Sequence, residues 1–455
     1  MDAWAQLAAR GKSLGLKFYQ FSLVDLFGVM RAKLVPASRV EDIASGGAGF
    51  APFAAWFDLG PYDGDLLAVP DPSTLIQLPW QPDVGWLACD LILDGKELKQ
   101  GPRNTLRALQ TKLAAQGIQM KCGVECEFFL LDAAAPLDKP ALGDARDTAA
   151  KPCYEVGALM RRFDVISTLM KNMEALGWGP YQADHEDANG QFEINWDYND
   201  VLVTADRVAF FKYMAKSVAE QHGLQATFMP KPFADLTGTG MHVHISLHDA
   251  KTGKNLCGGG LPANHGISDL ALKFLSGVLA NTPAITALSN PTINSFKRLN
   301  AASTTSGATW SPAGVTWGGN NRTNLVRVPG EFAESPAGAR FELRLADGAA
   351  NPYLLPAAIG AAGLAGLLGT CPPAPPPCDM DMYDASNPKV AEAKAKAPKL
   401  PRSLEAALDA LEASKELRVA LGDEVIDAYL KLRRQQCTEY AAQVSAWELK
   451  TYLDV

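Results

Sequence analysis

The sequence predicts an α+β fold in two parts, the second built on a long antiparallel sheet. Three observations predict it. The chain has 455 residues, too many for one small core. Up to LACDLIL (87–93) the apolar segments are short and broken by Pro and Gly, so the first part is mostly β. Beyond GKELKQGPRN (95–104) strand-like and helix-like segments alternate without a Rossmann fingerprint. The boundary is expected near residue 102, dividing the chain into 1–102 and 103–455.

Residues 2–14 have the spacing of an amphipathic helix, and KFYQFSLVDLFGVMRAKLV (17–35) reads as a hairpin turning at Leu26-Phe27-Gly28. TLRALQTKLAAQG is a helix stopped by Gly117. There follow a strand at 120–131, a helix around 159–176, an extended segment at 191–197 and a helix at 204–222. MHVHISL (241–247) is a strand, 268–281 a helix and RFELRLA (340–346) a strand. The Ala/Gly-rich run Leu354 to Leu368 is a buried helix. CPPAPPPC (371–378), DMDMYD and the Ala/Lys-rich 389–400 read as an exposed loop, and 403–453 returns to helical periodicity.

Composition narrows the class. Hydrophobic residues at 47% and charged residues at 20% describe an ordinary globular protein. A net charge of −8 argues against a nucleic-acid surface, which requires clustered Lys and Arg. The eight cysteines show no CxxC spacing and are expected to be reduced. The N-terminus has no signal-peptide character and no uninterrupted apolar stretch reaches membrane-spanning length, so a cytoplasmic enzyme without membrane attachment is expected.

The chemistry starts at GVECEFFL (123–130). Strand side chains alternate, so Glu125 and Glu127 point the same way about 6.6 Å apart, while Val124, Cys126 and Phe128 point the other way. Two ionised carboxylates at that distance repel by about 2.5 kcal/mol at an effective dielectric near 20, so something positive must offset them. The period-two pattern recurs in His242 and His244, and again in Arg340, Glu342 and Arg344. A half-solvated strand explains each alone. Together they do not read as solvated faces, which favour Lys and Thr over His and paired Glu. HEDANGQFE adds Glu186 and Glu193 around the turn-forming Asn189-Gly190. Five Glu with one or two His suit hard divalent cations such as Mg²⁺ or Mn²⁺ rather than structural zinc, and a two-metal site is the economical inference. Arg298, Arg322, Arg327, Arg340 and Arg344 form a set suited to carboxylate or phosphate. Metals with arginines but without GxxxxGK[ST] indicate nucleotide chemistry outside the P-loop class.

In order, ECEFFL, HEDANGQFE, GTGMHVHISL, NPTINSFKRL, NNRTNLVRVP and RFELRLADGAANPYL resemble the glutamine synthetase family, and the likeness continues into DAYLKLRRQQCTEYAAQVSAWELKTY at the C-terminus. The resemblance implies an N-terminal β-grasp domain, a catalytic domain with a curved antiparallel sheet flanked by helices, and a homo-oligomer, a dodecamer of two stacked hexamers with active sites between neighbours. By position, Glu127, Glu186 and Glu193 match the ligands of one metal, and Glu125, His242 and Glu342 those of a second. His244, Ser246, Arg322, Arg327 and Arg340 match nucleotide-site positions, with Arg322 and Arg340 also catalytic. Gly238, Arg298 and Arg344 match groups that hold glutamate. The implied reaction transfers the γ-phosphoryl of ATP to L-glutamate, and an amine then displaces phosphate from γ-glutamyl phosphate.

Two family features are missing. The family carries an acidic residue in a flap just after the NSYKRL-like motif, and an acidic loop from the neighbour, both of which help bind and deprotonate ammonium. Here the flap reads NAASTTSGATWSPAGVTWGG (300–319) with no acid, and the loop reads GFAPFAAWFDLGP (49–61), with Ala51, Pro52, Phe53 and Ala54 at the acidic position. Thr237 stands where an Asn is usual. Phe53, Trp56 and Trp310 add apolar bulk, and cation–π contact is worth about 0.5–2 kcal/mol. A small alkylamine such as methylamine is therefore the expected acceptor, on the branch that resembles type III glutamine synthetases and γ-glutamylmethylamide synthetases. The alternatives are ammonia, with Asp58, Asp63 or Asp65 replacing the missing acid, and an inactive ring protein of the same fold. A zinc hydrolase using His242 and His244 is disfavoured by the carboxylate excess. Tryptophans such as Trp56 and Trp310 are more often packing residues. Tyr383 falls where some bacterial relatives are adenylylated, although a loop tyrosine needs no such role.

Overall fold

The computed structural model describes residues 3–312, 314–332 and 334–455. Two sheets organise them. In the N-terminal one, Phe18–Val24 and Met30–Pro36 form the expected antiparallel hairpin, and Phe18–Val24 pairs in parallel with the long Gln81–Leu93 strand, Phe18 opposite Val84. That parallel pairing beside a hairpin is what a β-grasp requires. Asp25 closes the turn, its Oδ1 accepting from the backbone of Phe27 and Val29 at 3.0 Å each.

The Pro102–Ala115 helix stands between the sheets and ends before Gly117, whose φ of +75° suits glycine. Its Arg103 is buried and pairs with Asp71 and Asp90 on one side and with Asp206 on the other, at 2.8–2.9 Å.

Among the described residues the second sheet has nine strands, with Ile118–Asp132 at its centre. It pairs antiparallel with Met241–Asp249 on one side and Gln191–Trp196 on the other. Phe341–Leu343 then pairs with Met241–Asp249, and Val326–Arg327 with Phe341–Leu343. One face is apolar, with Phe128, Val243, Ile245, Phe341 and Leu343 buried against helices that include Val201–Gln221.

Several elements differ from expectation. The 159–176 helix is two, Val156–Arg161 and Phe163–Ala175, because Arg162 leaves helical geometry at φ −111° and ψ 20°. The helix expected at 268–281 runs Asp269–Ser289 through Pro283, with Thr282 and Thr286 bonding back to carbonyls four residues earlier. It is long and apolar enough to cross a membrane by composition, but it packs against the buried Leu354–Leu367 helix as a core element. RFELRLA supplies only a three-residue strand, Phe341–Leu343; beyond it single bonds replace the ladder, Arg344 N–H to Leu325 O at 2.9 Å and Met241 N–H to Ala346 O at 3.0 Å. Pro388–Lys396, within the run read as loop, is a helix started by Asn387 and Pro388. The eight cysteines are free.

Candidate active site

Cross-strand register gathers the acids. Glu127 lies opposite Glu193, His242 opposite Glu125, and Glu342 opposite both His244 and Arg327. Glu186 joins from the turn after Pro180–His185, where Glu186 N–H bonds Gln191 O at 2.9 Å. Two triads result, Glu125/His242/Glu342 and Glu127/Glu186/Glu193, each with candidate ligand atoms within 4.8 Å of one another.

Their electrostatics differ. Glu125 accepts from His242 Nδ1 at 3.0 Å and His244 Nε2 at 2.8 Å, and these bonds outweigh burial to hold its carboxyl far below the usual range. Glu342 is fully buried and bonds Arg327 and Arg344; burial opposes its ionisation, but Arg344 and the two histidines bring it down to about 2. Burial and Arg344 depress His242. This triad is compensated by the chain itself.

The other triad has no such compensation. Glu127 accepts from Gln191 Nε2 at 2.8 Å and Gly240 N–H at 2.7 Å, Glu193 from Asn195 Nδ2 at 2.8 Å, and Glu186 from Asp187 N–H at 2.9 Å. Among the described residues no Lys or Arg pairs with any of the three. Carboxylate oxygens within 4.8 Å repel by at least about 3.5 kcal/mol per pair at an effective dielectric of 20. Burial first, then neighbouring carboxylates, push Glu186 and Glu193 well above the normal range. Asp184 rises to about 6 for the same reasons, and its buried Oδ1 has no partner. A donor set of three hard oxygen ligands with no cation of its own fits Mg²⁺ or Mn²⁺.

Two loop glycines bring the backbone close. A Cβ at Gly240 would lie 2.6 Å from Glu127 Oε1, and one at Gly238 2.6 Å from Pro230 O and 2.8 Å from Arg298 Cγ. Arg298 and Arg344 are both buried nearby; Arg298 donates to Leu345 O at 2.9 Å, and Arg344 Nε has no partner.

Glu125, His244, Ser246, Arg327 and Arg340 line one cavity of about 380 Å³, walled by Tyr181 and Tyr198. Arg340 Nε donates to His244 Nδ1 at 3.2 Å, and Ser246 bonds His248 at 3.0 Å. Arg327 and Arg340 also face a wider cleft of about 1000 Å³ with Arg322, which is exposed and whose charge acts on Asp184.

Trp310 sits on the flap at φ +52° and is 37% exposed. Phe53 and Trp56 lie elsewhere, on the N-terminal region, at 57% and 42% exposure, with Trp56 stacked on Phe27 at 4.9 Å. Tyr383 donates to Ser311 O at 2.8 Å. Of the acids considered as replacements, Asp58 is paired with Lys431 at 2.7 Å, Asp63 accepts from Gly60 N–H at 2.6 Å, and Asp65 is exposed.

Residues not anticipated include Gln191 and Asn195, which brace Glu127 and Glu193. Their sign was present: Gln191, Glu193 and Asn195 alternate on one strand face. Tyr181, Tyr198 and Asp184 carried no pattern, since spatial proximity alone brings them in.

Two carboxylate-rich centres accompany a cleft lined by Arg322, Arg327 and Arg340, and comparison with known proteins makes the chain an ATP-dependent carbon–nitrogen ligase. Residues 99–452 match the family described as "Glutamine synthetase, catalytic domain", and the chain belongs to the glutamine synthetase family. It is 50% identical over 449 residues to "Glutamine synthetase" of Rhizobium leguminosarum bv. phaseoli, covering 99% of each chain. It is 39% identical over 443 residues to "Glutamate--methylamine ligase" of Methyloversatilis universalis, covering 96% of each. A solved structure described as "Apo GmaS without ligand" superposes with a TM-score of 0.89 at 49% identity, covering 98% of this chain and 99% of that one. Ligases of this family use ATP and divalent metals and act on glutamate and an amine.

Proposed function

We propose that this chain joins the γ-carboxyl of L-glutamate to a small alkylamine, with methylamine as the representative acceptor, through γ-glutamyl phosphate. The observation that carries the choice of amine is the flap. Its described residues hold no acid, while Trp310 is presented on it, and two of the three acids that could replace it, Asp58 and Asp63, are already engaged by Lys431 and Gly60, leaving exposed Asp65 to the ammonia reading. A small cation lacking anionic partners is held weakly, whereas an amine bearing carbon gains apolar and cation–π contact. The likeness to "Glutamate--methylamine ligase" and to the GmaS structures supports the reading. The relative named "Glutamine synthetase" at 50% identity supports the second reading, ammonia as acceptor.

In this proposal Glu127, Glu186 and Glu193 hold one divalent cation and Glu125, His242 and Glu342 another. Bound Mg²⁺ or Mn²⁺ supplies neutralisation of phosphate charge. His244, Ser246, Arg327 and Arg340 hold the nucleotide, with the Tyr181 and Tyr198 rings as flat walls for its base. Arg322 and Arg340 oppose charge that develops on the transferred phosphoryl group. Arg298, Arg344 and the Gly238 backbone orient glutamate, and the unpartnered Arg344 Nε is a free donor for it. Attack by the glutamate γ-carboxylate releases ADP; the amine, having lost a proton, then displaces phosphate and leaves a γ-glutamyl amide.

Residues 1–102 form the N-terminal domain in this account and 103–455 the catalytic domain. Copies assemble as two hexameric rings, so that Phe53 and Trp56 of one subunit reach the amine side of the next. Their exposure on a single chain supports this. The test is steady-state kinetics with ammonium, methylamine and longer amines at saturating glutamate and ATP. Methylamine is expected to give the highest kcat/KM; ammonium giving the highest overturns the alkylamine assignment.

A further inference from the structure

Glu186 is the least braced of the proposed ligands. Glu127 is held by Gln191 and Gly240 and Glu193 by Asn195, whereas among the described residues the Glu186 carboxylate accepts only from the N–H of the residue after it. Its placement therefore depends on the backbone of its own turn, residues 185–190. Behind that turn lies Asp147, a buried acid on the segment that joins the Ile118–Asp132 strand to the Val156–Arg161 helix. Asp147 Oδ2 accepts from His185 Nε2 at 2.7 Å and from Gly190 N–H at 2.6 Å, and its Oδ1 accepts from Asn189 Nδ2 at 2.9 Å. The fully buried His185 ring reaches on through Nδ1 to the Glu186 carbonyl at 2.9 Å.

The segment that carries Asp147 is itself fixed. Asp132 N–H bonds Ala141 O at 3.0 Å, Gly143 N–H bonds Leu130 O at 2.9 Å, and Tyr154 N–H bonds His185 O at 2.9 Å. Arg161 Nε donates to Asp144 Oδ2 at 2.5 Å. Gly190, at φ +72°, lies so close that a Cβ there would sit 2.9 Å from Leu142 Cδ2.

We infer that Asp147 is a positioning residue for the Glu127/Glu186/Glu193 cation: it bonds none of the three carboxylates, but it holds both ends of the turn that carries Glu186. Each of its three bonds is charge-assisted, and together they tie residues before and after Glu186 to one acid. Outer partners of this kind change metal affinity by about tenfold to a hundredfold when removed. The other triad has no such dependence, since its ligands lie on three directly paired strands. The inference rests on the proposed assignment of a divalent cation to the Glu127 triad, but not on which amine is used.

The test is Mn²⁺ titration of the full-length, substrate-free enzyme after chelation, read by the electron paramagnetic resonance of free Mn²⁺. It compares wild type with Asp147→Ala, Asp147→Asn, Asn189→Ala and Glu193→Gln. Glu193→Gln marks which class of Mn²⁺ site belongs to the triad, by weakening it. D147A should weaken the same class about tenfold and leave the other class within about twofold. D147N, whose carbonyl still accepts from His185 and Gly190, should recover most of that loss. N189A, which removes one of the three bonds, should weaken the class about threefold, and it carries the comparison if D147A does not fold. Unchanged binding in D147A and N189A, while E193Q loses the site, would overturn this inference alone. Equal weakening of both classes, the mark of general damage to the fold, would overturn it too, as would D147N no better than D147A. If E193Q leaves both classes intact, the metal assignment fails and this inference falls with it.

Discussion

At the residue scale the site is a contrast between two sets of buried acids. Glu125 and Glu342 are neutralised by histidines and arginines, whereas among the described residues Glu127, Glu186 and Glu193 have only amide donors. The second set makes metal-free stability depend on pH. Glu186, Glu193 and Asp184 are raised above the ordinary carboxylate value of about 4. Their contribution is complete below that value and is lost as pH rises through the folded values, about 6 for Asp184 and well above normal for the glutamates. Glu125 and Glu342 are depressed, so theirs is lost only at acid pH, outside this window; the depressed His242 works the other way, gaining stability as pH rises, but is one group against three. Chelator-treated protein should therefore be less stable at pH about 8 than at about 5.5, and Mn²⁺ should raise Tm more at the higher pH, by several degrees, because binding needs the ionised ligands. Equal gains at both pH values would remove the uncompensated triad from the account.

At the element scale three strands carry most of the chemistry, and their alternation made that legible. Glu125, Glu127, His242, His244 and Glu342 stood out because an apolar opposite face fixed which way each side chain points. Register was not legible: nothing in ECEFFL and QFEINW says that Glu127 falls opposite Glu193. Short elements escaped for a similar reason. Pro388–Lys396 hid in a low-complexity run with a single buried apolar residue, Val390, and the Phe341–Leu343 strand is shorter than its pattern because tertiary bonds take over after Leu343. The loop entering Met241–Asp249 also has an element-level role, passing so close to Glu127 that a side chain there would have to displace its carboxylate. Gly240→Ala places a Cβ 2.6 Å from Glu127 Oε1. It should lower kcat by about a hundredfold or more through displacement of that carboxylate, while leaving the circular dichroism spectrum unchanged. Near-normal turnover by this variant would show that Glu127 need not hold its observed position.

At the scale of the whole molecule, the proposed reading puts the glutamate and nucleotide half within one chain and draws part of the amine half from a neighbour. Trp310 stands on the flap of the catalytic part, whereas Phe53 and Trp56 are exposed on the N-terminal sheet, with Trp56 against Phe27. The sequence divides in the same way on the family resemblance: the metal and arginine motifs resemble the family's, while the flap and the N-terminal loop depart from it. Departures of this kind say what has been lost and leave the replacement to be found in space. The central claim is that this site ligates glutamate to an alkylamine in preference to ammonia. It is tested most directly by offering ATP, Mg²⁺ and glutamate with equimolar ammonium and methylamine and resolving the products by mass. γ-Glutamylmethylamide should dominate from the first turnovers, with ADP release dependent on both glutamate and amine. Glutamine as the main product would contradict the account.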